Sequence, residues 1–200
     1  VLTFTPPAWL LPNQNYTVGV GTGVRDVAGN PLLNAVDWTF TTTIRADTAA
    51  PAVVAVSPAD GAVAVPVNAR WCVQFSEPVA GWSVDETTIG VEAGGAPVEL
   101  EFSLGLSNQV VCAKRANLFT LAADTLHVAT VSTGVEDLVG HALTAPFESV
   151  FTTGTATDLT APTVVATVPA NGATEVAVEA PLEVRFSEVI DPTTVHVGTV

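Results

Sequence analysis

The chain has 200 residues, 48% of them hydrophobic, with 20 acidic side chains against six basic ones and a formal charge of −14. That apolar content excludes disorder by composition. The charge repels nucleic acid and anionic membrane surfaces, and it suits a solvated exterior or divalent cations. No apolar run approaches the ~18 residues of a membrane span without a Pro, a Gly or a charge, so no membrane insertion is expected of this segment.

The apolar residues are mostly Val and Ala, and Thr is frequent. Val and Thr favour a pleated, half-buried surface. Val1–Thr5 reads as a short alternating strand, followed by a proline-rich loop to Gln14. Asn15–Gly21 is the next strand, with Tyr16, Val18 and Val20 on one face. Val24–Pro31 is a turn in which Asp26 can accept backbone hydrogen bonds and Gly29 or Asn30 can take positive φ. Ala35–Thr42 is a strand with Val36, Trp38 and Phe40 expected inward, and 43–51 is a linker.

Val53–Val56 then opens a new unit, with a tight turn at Ala59–Gly61. Arg70–Phe75 is a central strand that should turn Trp71, Val73 and Phe75 inward and Cys72 and Gln74 outward. Ser76–Val79 breaks it, and Gly81–Thr88 is a loop or short helical turn. Ile89–Ala93 and Val98–Ser103 read as a hairpin around Gly94-Gly95. Val110–Ala113, Thr125–Val131 and Phe147–Thr152 complete the unit. No segment has a helical apolar period of useful length. About seven or eight strands separated by turn signals predict an all-β antiparallel sandwich with Greek-key connections.

The chain also repeats itself. Asp47–Val79 returns at Asp158–Ile190, a shift of 111, with 17 of 33 positions identical. Thr22-Gly-Val-Arg-Asp26, Gly29, Leu32 and Phe40-Thr-Thr42 return at the same shift as Thr133-Gly-Val-Glu-Asp137, Gly140, Leu143 and Phe151-Thr-Thr153. A period this long marks an array of small domains rather than a solenoid. The expected division is 1–46, the back of one repeat; 47–157, a complete repeat; and 158–200, the front of a third. With Val1 first and no initiator Met, the chain reads as a piece of a longer protein.

Cys72 and Cys112 are both in the complete repeat, while the partner positions are Glu183 and Val1. They are present together here and absent elsewhere, as a repeat-specific disulfide would be; two buried thiols are the alternative.

The combination of Asp-x-x-x-Pro at Asp47 and Asp158, Pro-Ala-Asp/Asn-Gly at Pro58 and Pro169, Phe-Ser-Glu at Phe75 and Phe186, and the Asp26-x-x-Gly-Asn-Pro turn resembles the bacterial Ig-like domains of the Big group. These stand in tandem on S-layer proteins and large surface adhesins. The resemblance spans the chain. It implies a non-catalytic spacer or adhesive segment, extracellular or on the cell surface. Its partners would be the neighbouring repeats of the chain and a surface protein or glycan. A carbohydrate- or protein-binding module, and an accessory segment of a large secreted enzyme, are the other readings.

His127, His141 and His196 lie in different elements, and no zinc spacing or nucleophile elbow is present. His127 aligns with Tyr16 and should replace a core aromatic. Trp82, in the loop after the central strand, is the candidate ligand contact. The best candidate site is the repeat junction, where Asp47, Glu77, Asp137, Asp158 and Glu188 could supply carboxylate oxygens to calcium. Ordinary turn capping is the competing role for the same acids.

Overall fold

The computed structural model describes residues 10–43, 46–116, 120–196 and 199, and it divides into two compact units, 1–48 and 49–200. The strand expected at Val1–Thr5 lies outside the described residues.

In the first unit, β1 (Asn15–Val20) pairs antiparallel with β2 (Val36–Thr41), placing Tyr16 opposite Phe40 and Val18 opposite Trp38. The Tyr16 and Phe40 rings stack at 5.7 Å. Val36, Trp38 and Phe40 do share a face, but all three are exposed, Trp38 at 48%. The described residues of this unit supply one layer, and a strand face is buried only when a second layer lies on it.

The second unit contains the sandwich. One sheet is ordered β3 (Val53–Ser57), β5 (Trp71–Phe75), β9 (Val110–Arg115), β8 (Leu100–Gly105). The other runs β4 (Ala62–Val65), β11 (Phe147–Thr153), β10 (Leu126–Val131), β6 (Ile89–Ala93), β7 (Ala96–Pro97). Pairing is antiparallel except between β4 and β11, which are parallel. Trp71, Val73 and Phe75 face inward as expected and pack with Ile89, Val91, Val111, Ala129, Val131 and Phe151. His127 is fully buried and stacks on Phe151 at 4.9 Å, repeating the Tyr16–Phe40 pair.

Two expectations are corrected. The Gly94-Gly95 turn leads only into β7, and the chain then changes sheets. The Val98 amide still donates to Val91 O at 2.8 Å, whereas Glu99 O accepts from the Ala116 amide at 2.8 Å, just past β9. Strand β7 stops at Pro97, and the Val98 bond is the final one to β6 before Glu99 joins the β9 side. The residues expected as the second arm of that hairpin therefore form β8, in the opposite sheet. Strand β4 was hidden by its length of four residues and its parallel register, which alternation does not reveal. Its approach is held by Asp60, whose Oδ1 accepts the Val150 amide at 2.8 Å, and by Gly61, at φ +75.

A further strand pair, β12 (Val164–Val168) and β13 (Glu183–Phe186), reproduces the β3–β5 pair 111 residues later. Val164, Val168 and Val184 are exposed there. Ser57–Pro58 and Val168–Pro169 are both cis, marking the same turn in each repeat.

Cys72 and Cys112 sit directly opposite in the β5–β9 register and are disulfide-bonded. The bond closes a loop across a sequence separation of 40, so in the chain-entropy model it stabilises the fold by about 3–4 kcal/mol. The Cys72→Ser/Cys112→Ser double variant should unfold at correspondingly lower denaturant than the oxidised protein. Equal stability of the two would overturn the assignment of a stabilising role to this bond.

Candidate functional site

The acids proposed from sequence are placed by two kinds of loop. The first is the turn at Asp26 and its partner at Asp137. Asp26 Oδ1 accepts the Ala28 and Asn30 amides, and its Oδ2 accepts from Asn30 Nδ2 at 2.9 Å. Asp137 Oδ1 accepts the Val139, Gly140 and His141 amides at 2.7–2.9 Å, and its Oδ2 meets His141 Nδ1 at 2.8 Å. Gly29 and Gly140 take φ of +88 and +96, which only glycine adopts without strain. Asp137 is 1% exposed. Burial alone would raise its pKa, but the hydrogen bonds from His141, Val139 and Gly140 outweigh it, and the carboxyl is held below its ordinary value. The Asp26 carboxyl is lowered chiefly by Asn30. Asp137 is thus engaged with its own turn on both oxygens.

The second loop follows the central strand. Glu77 is half-buried in it, and two residues on, Val79 makes an isolated bridge to Asp137. The Ala80 amide donates to Glu136 O at 2.8 Å, and Ser83 Oγ accepts the Glu136 amide at 3.0 Å. These bonds fix the Gly81–Ser83 turn that carries Trp82, which is 47% exposed. Asp47 is exposed in its linker.

Asp158 and Glu188 come together. Glu188 is pushed above its ordinary pKa by desolvation, by the Asp158 charge and by a hydrogen bond to the Asp158 carboxyl, and its buried Oε1 has no hydrogen-bond partner among the described residues. Asp158 also caps its own turn, accepting the Thr160 amide at 2.9 Å.

One residue escaped the sequence reading. Asn68, before β5, clamps the Asp158 peptide from both sides. Its Nδ2 donates to Asp158 O at 2.7 Å, and its Oδ1 accepts the Asp158 amide at 2.9 Å. The aligned residue is Glu179, so the repeat carries no signal for it. A cavity of about 600 Å³ lies beside the β6–β7 hairpin, walled by Ala93, Pro97, Val98 and Leu121. Its charged lining groups among the described residues are the exposed Glu99 and the half-buried Arg115, so no buried charge orients a ligand there. No helix among the described residues is long and apolar enough to cross a membrane.

The two facing sheets, their connections and the repeated turns define an Ig-like β-sandwich. A family model for the bacterial Ig-like domain, Big_5, matches residues 1–42, 47–153 and 158–200, and the chain belongs to that family. No curated protein matches the sequence. Among solved structures, an LD transpeptidase, LdtMt1 in complex with imipenem, is 24% identical over 52% of this chain and 40% of its own, with a TM-score of 0.39. The surface layer protein SbsC, domains 1–6, is 16% identical over 59% of this chain and 15% of its own, with a TM-score of 0.43. CopC from Methylosinus trichosporium OB3b is 15% identical over 55% of this chain and 99% of its own, with a TM-score of 0.39. The present chain thus spans less than half of the transpeptidase and a small part of the S-layer protein.

Asp137→Ala leaves three backbone amides without their acceptor and should cost about 1–3 kcal/mol at neutral pH. Because the folded carboxyl is depressed, its contribution is present above the unfolded pKa of ~3.9 and lost as pH falls through the lower folded value. The gap between wild type and variant should therefore close in acid, as denaturant melts from pH 7 to pH 2 would show; a gap independent of pH would count against this role.

Glu188 has the opposite sign. Its raised pKa contributes stability that is present below the unfolded pKa and lost as pH rises through the folded one. Glu188→Gln should melt higher than wild type at pH 7 and equally at pH 3. Calcium tests the cation site expected from sequence: a melting-temperature rise at millimolar calcium that Glu188→Gln lacks supports it, and no rise counts against it.

Proposed function

We propose that this chain is a non-catalytic spacer segment of a bacterial protein, acting outside the cell as a row of Ig-like repeats that holds or displays what it is joined to. The observation that carries this reading is the Asn68 clamp on Asp158. A flexible linker would leave that peptide to water, whereas a spacer that must hold direction gains by pinning it. The constant shift of 111 residues supports the row, since every repeat then meets its neighbour through a linker of the same length. The disulfide supports an oxidising compartment, where such bonds form and persist. The strongly acidic surface keeps such repeats solvated and apart from nucleic acid.

A binding role is the second reading, favoured by the exposed indole of Trp82 on a fixed turn. A glycan or protein ligand would stack on it, as aromatic side chains do at such sites.

Asn68→Ala should loosen the linker without weakening the sandwich core. Limited proteolysis should cut within 155–161 markedly faster in the variant, while the melting temperature of the disulfide-bonded repeat stays unchanged. Equal cleavage rates would show that the clamp does not stiffen the linker. An antibody against residues 47–157 should label intact cells of the source bacterium; labelling only after permeabilisation would overturn the extracellular reading.

A further inference from the structure

The Gly81–Ser83 and Pro192–Thr194 turns stand at equivalent places in successive repeats, with Trp82 and Thr193 at the same position, 111 residues apart. They share an internal hydrogen-bond pattern. The Thr88 hydroxyl donates to Ser83 O at 2.7 Å and accepts the Asp85 amide at 3.1 Å. The Thr199 hydroxyl donates to Thr194 O at 3.0 Å and accepts the His196 amide at 3.0 Å. The loops therefore present residues 82 and 193 in the same way.

Their surroundings differ. Thr193 is 4% exposed, while Trp82 is 47% exposed. The Pro192–Thr194 turn packs against β3 and β5 of the repeat before its own, whose inner rows are already occupied by the core. The register puts Ala55 beside Gln74 and Ser57 beside Cys72 on the rows of β3 and β5 that do not enter the inner core. Cys72 is nonetheless 1% exposed. Beside Gln74, this row carries the small side chains of Ala55 and Ser57 and the disulfide sulfur of Cys72, which leave room for a side chain as flat as an indole. Next to Trp82, a Cβ on Gly81 would meet Leu104 Cδ2 at 3.7 Å, and Leu104 is itself 39% exposed, so the apolar surface continues beyond the indole.

We propose that Trp82 is an inter-repeat docking residue: it seats on the outer face of a strand pair equivalent to β3–β5 in another Ig-like repeat, as the Pro192–Thr194 turn seats on β3 and β5. The inference rests on the tandem-row reading. It names the occupant of the exposed indole as a protein face made of short strands and small side chains, not a sugar ring. Position 82 then tunes the joint, since an indole buries far more surface than a threonine at the same place.

The test is a chain in which residues 47–157 are duplicated in tandem, so that the second Trp82 follows a repeat with its own β3–β5 face. Acrylamide quenching of that indole is read as the difference between this chain and its second-copy Trp82→Phe variant. The same difference in the 200-residue chain gives the exposed reference. Quenching should fall several-fold and emission should shift to the blue; quenching equal to the reference would overturn the docking. Thr193→Trp in the 200-residue chain is the second measurement. The introduced indole should be protected from acrylamide there, and a freely quenched one would also overturn it. Protection that appears only on adding an oligosaccharide would assign Trp82 to a glycan instead. Proteolysis separates the two readings. A protected linker between the copies with Trp82 still quenched defeats the docking alone, and a linker cut as fast as in Asn68→Ala defeats the tandem-row reading as well.

Discussion

The structure depends on the burial of one strand face. Trp71, Val73 and Phe75 on β5 meet Ile89, Val91, Ala129, Val131 and Phe151 from the opposite sheet, and most of these side chains are no more than a few per cent exposed. Each large apolar side chain so buried is worth on the order of 1.5–3 kcal/mol, and it is realised only when both layers are present. The same alternation in β1–β2 and in β12–β13 leaves Trp38, Phe40, Val164 and Val184 open to solvent. The polar chemistry of the core serves this packing. Trp71 Nε1 donates to Ser149 Oγ at 3.2 Å, so the largest core side chain keeps its polar atom satisfied. His127 is the exception: its Nδ1 lies 3.0 Å from Thr125 O, while its buried Nε2 has no partner among the described residues, and burial lowers its pKa.

The acids divide by what surrounds them. Asp26 and Asp137 face inward to their own turns and replace missing backbone acceptors, a local structural task. Asp158 and Glu188 face each other, and their proximity is a source of repulsion that a proton or a cation relieves. Both arrangements arise from the same acidic composition. Among the described residues, the second leaves a carboxylate oxygen buried without a partner, at Glu188 Oε1.

The joint between successive repeats uses ordinary side chains in a specific geometry. Asn68 supplies one donor and one acceptor to the backbone of a single residue, Asp158, with the two ends of one side-chain amide. The Pro192–Thr194 turn also lies against β3 and β5. The clamp and the turn thus hold the linker at two separate places. A spacer needs this restraint, and so does any ligand site whose parts come from two repeats.

Much of this was legible in the sequence. Alternation showed the inward face of β5, because side chains on a strand project with a period of two and one face must be buried. The internal repeat showed which residues do equivalent work, so the Asp26 and Asp137 turns and the His127–Tyr16 equivalence followed from alignment of the chain with itself. The joint occurrence of Cys72 and Cys112 pointed to the bond between them. What only the tertiary structure decided was long-range pairing. The Gly94-Gly95 turn looked the same whether Val98–Ser103 stayed in its sheet or crossed to the other, and the crossing is settled by which amide donates to Glu99 O, that of Ala116 just past β9. Strand β4 is too short to show a period, and its parallel partner β11 lies more than 80 residues away. Asn68 and Asp158, 90 residues apart, meet only because the folded sandwich brings the approach to β5 beside the linker, a proximity that no local propensity encodes.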